Sequence, residues 1–89
     1  MSVSNNIVIW SKKGCHYCQE IKEYFETEEI LYQEVDVTEH DYLRDVLDTK
    51  YGIRHVPVVE IGNQETGDYH AVIEVGLDHV KNAIAKVAN

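Results

Sequence analysis

Ile7-Val8-Ile9-Trp10-Ser11-Lys12-Lys13-Gly14-Cys15-His16-Tyr17-Cys18 joins an apolar run of β-favouring residues to two cysteines separated by two residues. Ile7 to Trp10 reads as a buried strand, and Ser11 to Gly14 breaks it. Beyond the break, Tyr17, Ile21, Tyr24 and Phe25 recur at helical spacing, so a helix starts near Cys15 and runs to about Thr27. The cysteine pair therefore falls where a strand has ended and a helix begins. Free amides and the macrodipole at a helix N-terminus stabilise an anion, so a thiol placed there gives up its proton more readily. Lys12 and Lys13 add positive charge close by. Cys15, at the exposed end, reads as the attacking thiol. Cys18, one turn further in, reads as the thiol that resolves a mixed disulfide. A Cys-x-x-Cys between a strand and a helix is a redox signal.

Working outward, Leu31 to Val37 reads as a second strand. Thr38 is placed to cap a second helix, with Asp41 at the capping-box position. Leu43, Val46, Leu47 and Lys50-Tyr51 continue that helix, and Gly52 suits its left-handed end. Val56 to Ile61 reads as a third strand interrupted by Pro57. Gly62 to Asp68 reads as a hairpin turn, and Tyr69 to Val75 as the returning strand. After Gly76, Asp78 is placed to cap a last helix with Val80, Ala83, Ile84 and Val87 along one face. The order β-α-β-α-β-β-α predicts an α/β fold: a four-stranded mixed sheet flanked by three helices, with parallel pairing across the helical connections and an antiparallel late hairpin. No repeat or linker divides residues 1–89, which read as one domain. Trp10, Tyr24, Phe25 and Leu47 read as core, and Glu26, Glu28 and Glu29 as a solvated helix end.

The chain has 89 residues, 44% of them hydrophobic, which is enough for one modest core. Sixteen acidic residues against eight Lys and Arg leave a net charge of -8. That balance argues against nucleic acid as a partner, because phosphate binding draws on clustered Lys and Arg. No apolar run reaches the roughly 18 residues of a membrane span. Met1-Ser2-Val3-Ser4-Asn5-Asn6 lacks the basic and apolar regions of a secretory signal, so the expected location is the cytoplasm. Two cysteines alone cannot staple a secreted miniprotein. They also fit half of a zinc site, but no second pair exists and His16, His40, His55, His70 and His79 form no zinc-type spacing.

Taken together, the chain resembles the glutaredoxins, a branch of the thioredoxin fold, over roughly residues 7–84. Lys12 stands three before the first cysteine, and Cys15-His16-Tyr17-Cys18 is similar to the family's CPYC motif. Arg54-His55-Val56-Pro57 matches its TVP segment, and Val75-Gly76-Leu77-Asp78-His79 matches its Gly-Gly-x-x-Asp region in part. The resemblance implies a cis Pro57 beside the cysteines, with the Val56 backbone presented to an extended thiol substrate. It implies that Lys12 attracts a glutathione carboxylate with help from Arg54, and that Tyr17 lines the groove. It further implies that the backbone at Leu77 and Asp78 receives the γ-glutamyl carboxylate. Glutathione and disulfide-bearing proteins are the expected partners of a monomer, with glutathione as co-substrate and no bound cofactor or metal.

Several positions depart from the family. His16 replaces the usual proline; an imidazolium beside the thiolate would favour the reduced form and make the pair more oxidising. His55 replaces threonine and is a second candidate for tuning the thiols. Val75 stands for the first glycine, and His79 for an acid that helps hold the glutathione amine. These changes favour an alternative in which thioredoxin reductase feeds the pair and the protein donates electrons, for example to ribonucleotide reductase. A third reading makes the cysteines part of a metal or iron–sulfur carrier.

Overall fold

A computed structural model of the chain describes residues 5–63 and 69–88. Strand β1 (Asn5–Ser11) leads into helix α1 (His16–Thr27), then β2 (Gln33–Asp36), α2 (Tyr42–Tyr51), β3 (Val58–Asn63), β4 (Tyr69–Val72) and α3 (Leu77–Ala88). The sheet order is β2-β1-β3-β4. The hairpin turn expected after Gly62 falls largely outside the described residues.

β1 sits in the middle and divides the core by the alternation of a strand. Ile7 and Ile9 point to one face, where Ile21 and Phe25 of α1 and Val80 and Ala83 of α3 pack on them. Val8 and Trp10 point to the other, against Val35, Val37, Leu47 of α2 and Val58. Trp10, Phe25 and Leu47 are buried as expected, whereas Tyr24 is half-buried.

The α1 crossover makes β1 and β2 parallel, with Ser11 opposite Asp36. The α2 connection does not repeat that pattern. β2 ends at Asp36 opposite Ser11, and β3 starts at Val58 opposite Trp10, so the chain leaves and re-enters at the same end of the sheet. β3 therefore runs antiparallel to β1, and β4 antiparallel to β3. This end of the sheet is also where α1 begins.

Several element boundaries differ from the sequence reading: β1 is longer (Asn5–Ser11) and β2 shorter (Gln33–Asp36). α2 starts at Tyr42, and its first carboxylate, Asp41, makes no capping bond. Thr38 is engaged elsewhere: its hydroxyl accepts from the Lys13 amide at 2.8 Å, and its own amide donates to Asp36 Oδ1 at 2.8 Å. Thr38 thus ties the Lys12–Gly14 turn to the end of β2. β3 begins at Val58 because Pro57 has no N–H to give the ladder. β4 stops at Val72 rather than Val75. Asp78 lies inside the first turn of α3 rather than ahead of it. Gly52 does end α2 in the left-handed conformation, at φ 73°.

Candidate active site

Cys15 is the N-cap of α1, with extended backbone, and its Sγ accepts a hydrogen bond from the Cys18 amide at 3.1 Å. That donor, together with the helix macrodipole, stabilises negative charge on Sγ. Cys15 and Cys18 are disulfide-bonded, with their Cα atoms 5.2 Å apart. Cys15 is partly exposed, whereas Cys18 is 1% exposed beneath the helix. Of the two cysteines, Cys15 is the one open to solvent.

Two open grooves flank the first turns of α1. The larger, about 530 Å³, is formed by Lys12, Lys13, Gly14, Cys15 and His16 with Gln19 and Lys22. It carries three lysines in a chain of net charge -8, and Lys12 has no ion-pair partner among the described residues. The Lys22 ammonium is held by Glu34 at 3.0 Å. Glu34 also accepts a bond from the fully buried Ser11 hydroxyl. The Ser11 bond first, then Lys22, holds the Glu34 carboxyl below the usual range. The Thr38 hydrogen bonds do the same for Asp36.

The second groove, about 390 Å³, brings together Tyr17, Leu77 and Asp78 with Glu20, Val75, Gly76 and His79. Tyr17 is 50% exposed, so its ring forms a rim rather than a core contact. His16 faces along the helix: its Nε2 lies 3.2 Å from Glu20 one turn on, and its ring meets Tyr17 edge-on. His16 thus lines the first groove and touches Tyr17 and Glu20, which line the second.

The Val56–Pro57 peptide is cis. Val56 packs against the Trp10 cluster and Pro57 is buried, at the sheet end that also carries Ser11 and the start of α1. Arg54 does not join the grooves. Asp45 and Asp41 of the α2 region hold its guanidinium, the second at 3.3 Å, and the Asp45 bond raises its pKa further. Help from Arg54 in attracting glutathione is thus not supported by its contacts, because a guanidinium facing carboxylates has little free charge to offer. His55 points to a backbone carbonyl of Ile73. Among the described residues, no group of three or more His, Cys, Asp or Glu is arranged to hold a metal ion. No helix there is long and apolar enough to cross a membrane.

Sequence reasoning missed Gln19, Glu20 and Lys22 as groove residues. The signal was present: Gln19 and Glu20 follow Cys15 and His16 by four residues, and Lys22 follows Cys18 by four, which places each pair on one helix face. Ser11 and Glu34 gave no such local sign.

A cysteine pair at a strand–helix junction, a cis proline at the same sheet end and this strand order define a thioredoxin-fold thiol redox protein. The glutaredoxin family model matches residues 7–65. A protein of Bacillus subtilis (strain 168) described as N-acetyl-S-hydroxy-L-cysteine reductase is 49% identical over 88 residues, covering 99% of this chain and 92% of that protein. Among solved structures, a buckwheat glutaredoxin–glutathione complex superposes with a TM-score of 0.69 at 27% identity, covering 96% of this chain and 77% of that one. Glutaredoxin 1 of Francisella tularensis, complexed with cacodylate, gives 0.66 at 20% identity over 93% and 95%. The chain belongs to the glutaredoxin family and is a thiol–disulfide oxidoreductase with a Cys15–Cys18 pair.

Proposed function

We propose that this enzyme reduces S-oxidised forms of small, carboxylate-bearing cysteine derivatives, an N-acylated S-hydroxycysteine above all. The observation that carries this reading is the partly exposed Cys15 set in an open, lysine-lined groove of small-molecule size, with the groove of Tyr17 and Val75 alongside. The full-length likeness to the B. subtilis reductase supports the same substrate class. An N-acylated cysteine has a carboxylate but no ammonium group. Val75 offers the acyl group an apolar contact, and His79 replaces the acid that a free amine would need.

In the reaction, the Cys15 thiolate attacks the sulfur of R–S–OH. The S–O bond breaks, the oxygen leaves as water after taking a proton, and a Cys15–S–S–R disulfide forms. The Cys18 thiolate then attacks Cys15 Sγ, releases R–S⁻ and closes the Cys15–Cys18 disulfide. Two electrons pass from the thiol pair to the substrate. Mixed disulfides follow the same route with a thiolate as the first leaving group.

Two molecules of glutathione return the pair to dithiol, with Lys12 meeting a glutathione carboxylate, the Val56 edge beside Pro57 meeting its backbone, and Leu77 and Asp78 meeting its γ-glutamyl end. Val75 and His79 favour a second electron source, a thioredoxin reductase that needs no glutathione groove. The test is reduction of N-acetyl-S-hydroxycysteine and of N,N′-diacetylcystine, fed in parallel by glutathione with its reductase or by thioredoxin reductase. Turnover with the first donor is the expected result. Turnover with thioredoxin reductase alone would reassign the electron source, and turnover of neither substrate would end the small-thiol reading.

A further inference from the structure

His55 is exposed, and its Nε2 lies 2.9 Å from the carbonyl oxygen of Ile73. A carbonyl only accepts, so the ring donates through Nε2–H. Both the imidazolium and one neutral tautomer carry that proton, so the bond does not require a charged ring.

The two ends of this bond matter. His55 stands two residues before Pro57, in the segment that leads into β3. Ile73 is the first residue beyond the β3–β4 ladder, whose last pair is Val59 with Val72. From Ile73 the chain runs directly into Val75, Gly76 and Leu77, one wall of the Tyr17 groove. Pro57 has no N–H with which the backbone could continue the ladder there. The His55 ring supplies a side-chain donor where the backbone donors stop. Gly76 then turns the chain at φ 132°, a conformation side-chain-bearing residues rarely adopt, so the wall is an irregular turn held chiefly at its ends. Val56 and Ile73 both pack on the Trp10 cluster, which brings the two segments together; the hydrogen bond fixes how they sit.

The geometry points to His55 as a positioning residue: its bond to Ile73 pins the Val75–Leu77 wall to the Val56–Pro57 segment and so sets which small thiols the groove accepts. The specificity part rests on the small-thiol reading proposed above; the pinning part does not.

Two variants test it, His55→Ala and His55→Gln, the second presenting an amide donor close to the position of Nε2. Amide hydrogen exchange at residues 74–77 reads the pinning without any substrate. Exchange about tenfold faster in His55→Ala, with His55→Gln near wild type, is the expected result. Single-turnover oxidation of the reduced protein by N,N′-diacetylcystine reads the specificity. The half-saturating concentration should rise about fivefold in His55→Ala, by more than the limiting rate falls, and recover in His55→Gln. Unchanged exchange in His55→Ala overturns the proposal. Faster exchange with unchanged half-saturation, while Tyr17→Ala does raise it, overturns the specificity role and leaves the groove reading standing. If neither variant moves half-saturation, both the groove reading and the specificity role fail. A Cys15 ionisation curve displaced equally in both His55 variants would make this residue an electrostatic tuner and also overturn the proposal.

Discussion

Each face of the sheet is tied by one glutamate that accepts several hydrogen bonds, and the two ties do different work. On the α2 face, Glu60 of β3 accepts from Trp10 Nε1 at 2.9 Å, from Lys50 Nζ at 2.6 Å and from the Tyr51 hydroxyl. Its side chain is 12% exposed; the Lys50 and Tyr51 bonds tie α2 to the sheet, and the Trp10 bond ties β1 to β3. On the α1 face, Glu34 of β2 accepts from Ser11 and Lys22, and Lys22 also lines the Cys15 groove. Glu34 is more open, at 35%. The same chemical device clamps a helix to the sheet in one place and holds a lysine of the Cys15 groove in the other.

Substitutions that act on one face only make the sharpest test of this division. Cys15→Ser should abolish turnover with every substrate while leaving the Trp10–Glu60 face intact. Cys18→Ser should stop reduction that needs the dithiol, yet spare reactions in which an external thiol resolves the mixed disulfide. Measurable turnover by Cys15→Ser would remove it as the attacking group. Glu60→Leu should do the reverse. Leaving the Trp10 and Tyr51 donors and the Lys50 charge without their acceptor should cost about 2–4 kcal/mol in denaturant unfolding. Activity per folded molecule should hold. A loss of activity larger than the loss of folded protein would show that the two faces are coupled.

Acid separates the two glutamates by degree. Burial alone would push Glu60 up, but the bonds from Lys50, Tyr51 and Trp10 outweigh it and hold its carboxyl below the usual 4.5. Glu34 is likewise lowered. A carboxylate whose folded pKa lies below its unfolded value adds stability that is present above the unfolded pKa. That stability disappears as pH falls through the folded pKa. Unfolding free energy should therefore fall steadily below about pH 4.5, the ordinary value for both groups. Glu60→Gln should flatten that slope markedly, and Glu34→Gln only slightly, because solvent screens the more open group. Equal flattening by the two would contradict the burial difference.

What could be read from the sequence was what local pattern controls. The β1–α1 junction, the start of α1 at the cysteines and the left-handed end of α2 follow from periodicity and from Gly52. The meeting of Tyr17, Leu77 and Asp78 came from the resemblance to the glutaredoxins rather than from periodicity. The rest depended on partners distant in the chain. Thr38 looked like a cap until the Lys13 amide, 25 residues away, claimed its hydroxyl. Arg54 looked available beside Pro57 until three aspartates from the α2 region surrounded it. His55 was read as a second imidazole near the thiols; its bond to Ile73, 18 residues away, had no local sign. The antiparallel entry of β3 depended on α2 leaving and returning at one end of the sheet, which no local pattern records.

The smallest effect tests the comparison most finely. Glu34→Gln keeps an oxygen for the Ser11 hydroxyl but removes the negative partner of Lys22. Stability should change by only about 0.5 kcal/mol, as for a partly exposed ion pair. The freed ammonium lies on the wall of the Cys15 groove, so the local field there becomes more positive. Reduction of a carboxylate-bearing disulfide should then rise about two- to threefold at low salt and return to the wild-type rate at about 0.5 M salt. Lys22→Gln should shift the same rate the other way, and a neutral disulfide should respond to neither. Glu60→Gln alters a lysine of α2 that does not line the Cys15 groove, so it should leave this charge preference untouched. If Glu34→Gln and Glu60→Gln shift the anionic substrate alike, the effect comes from net charge, and the assignment of Lys22 to the reacting groove fails.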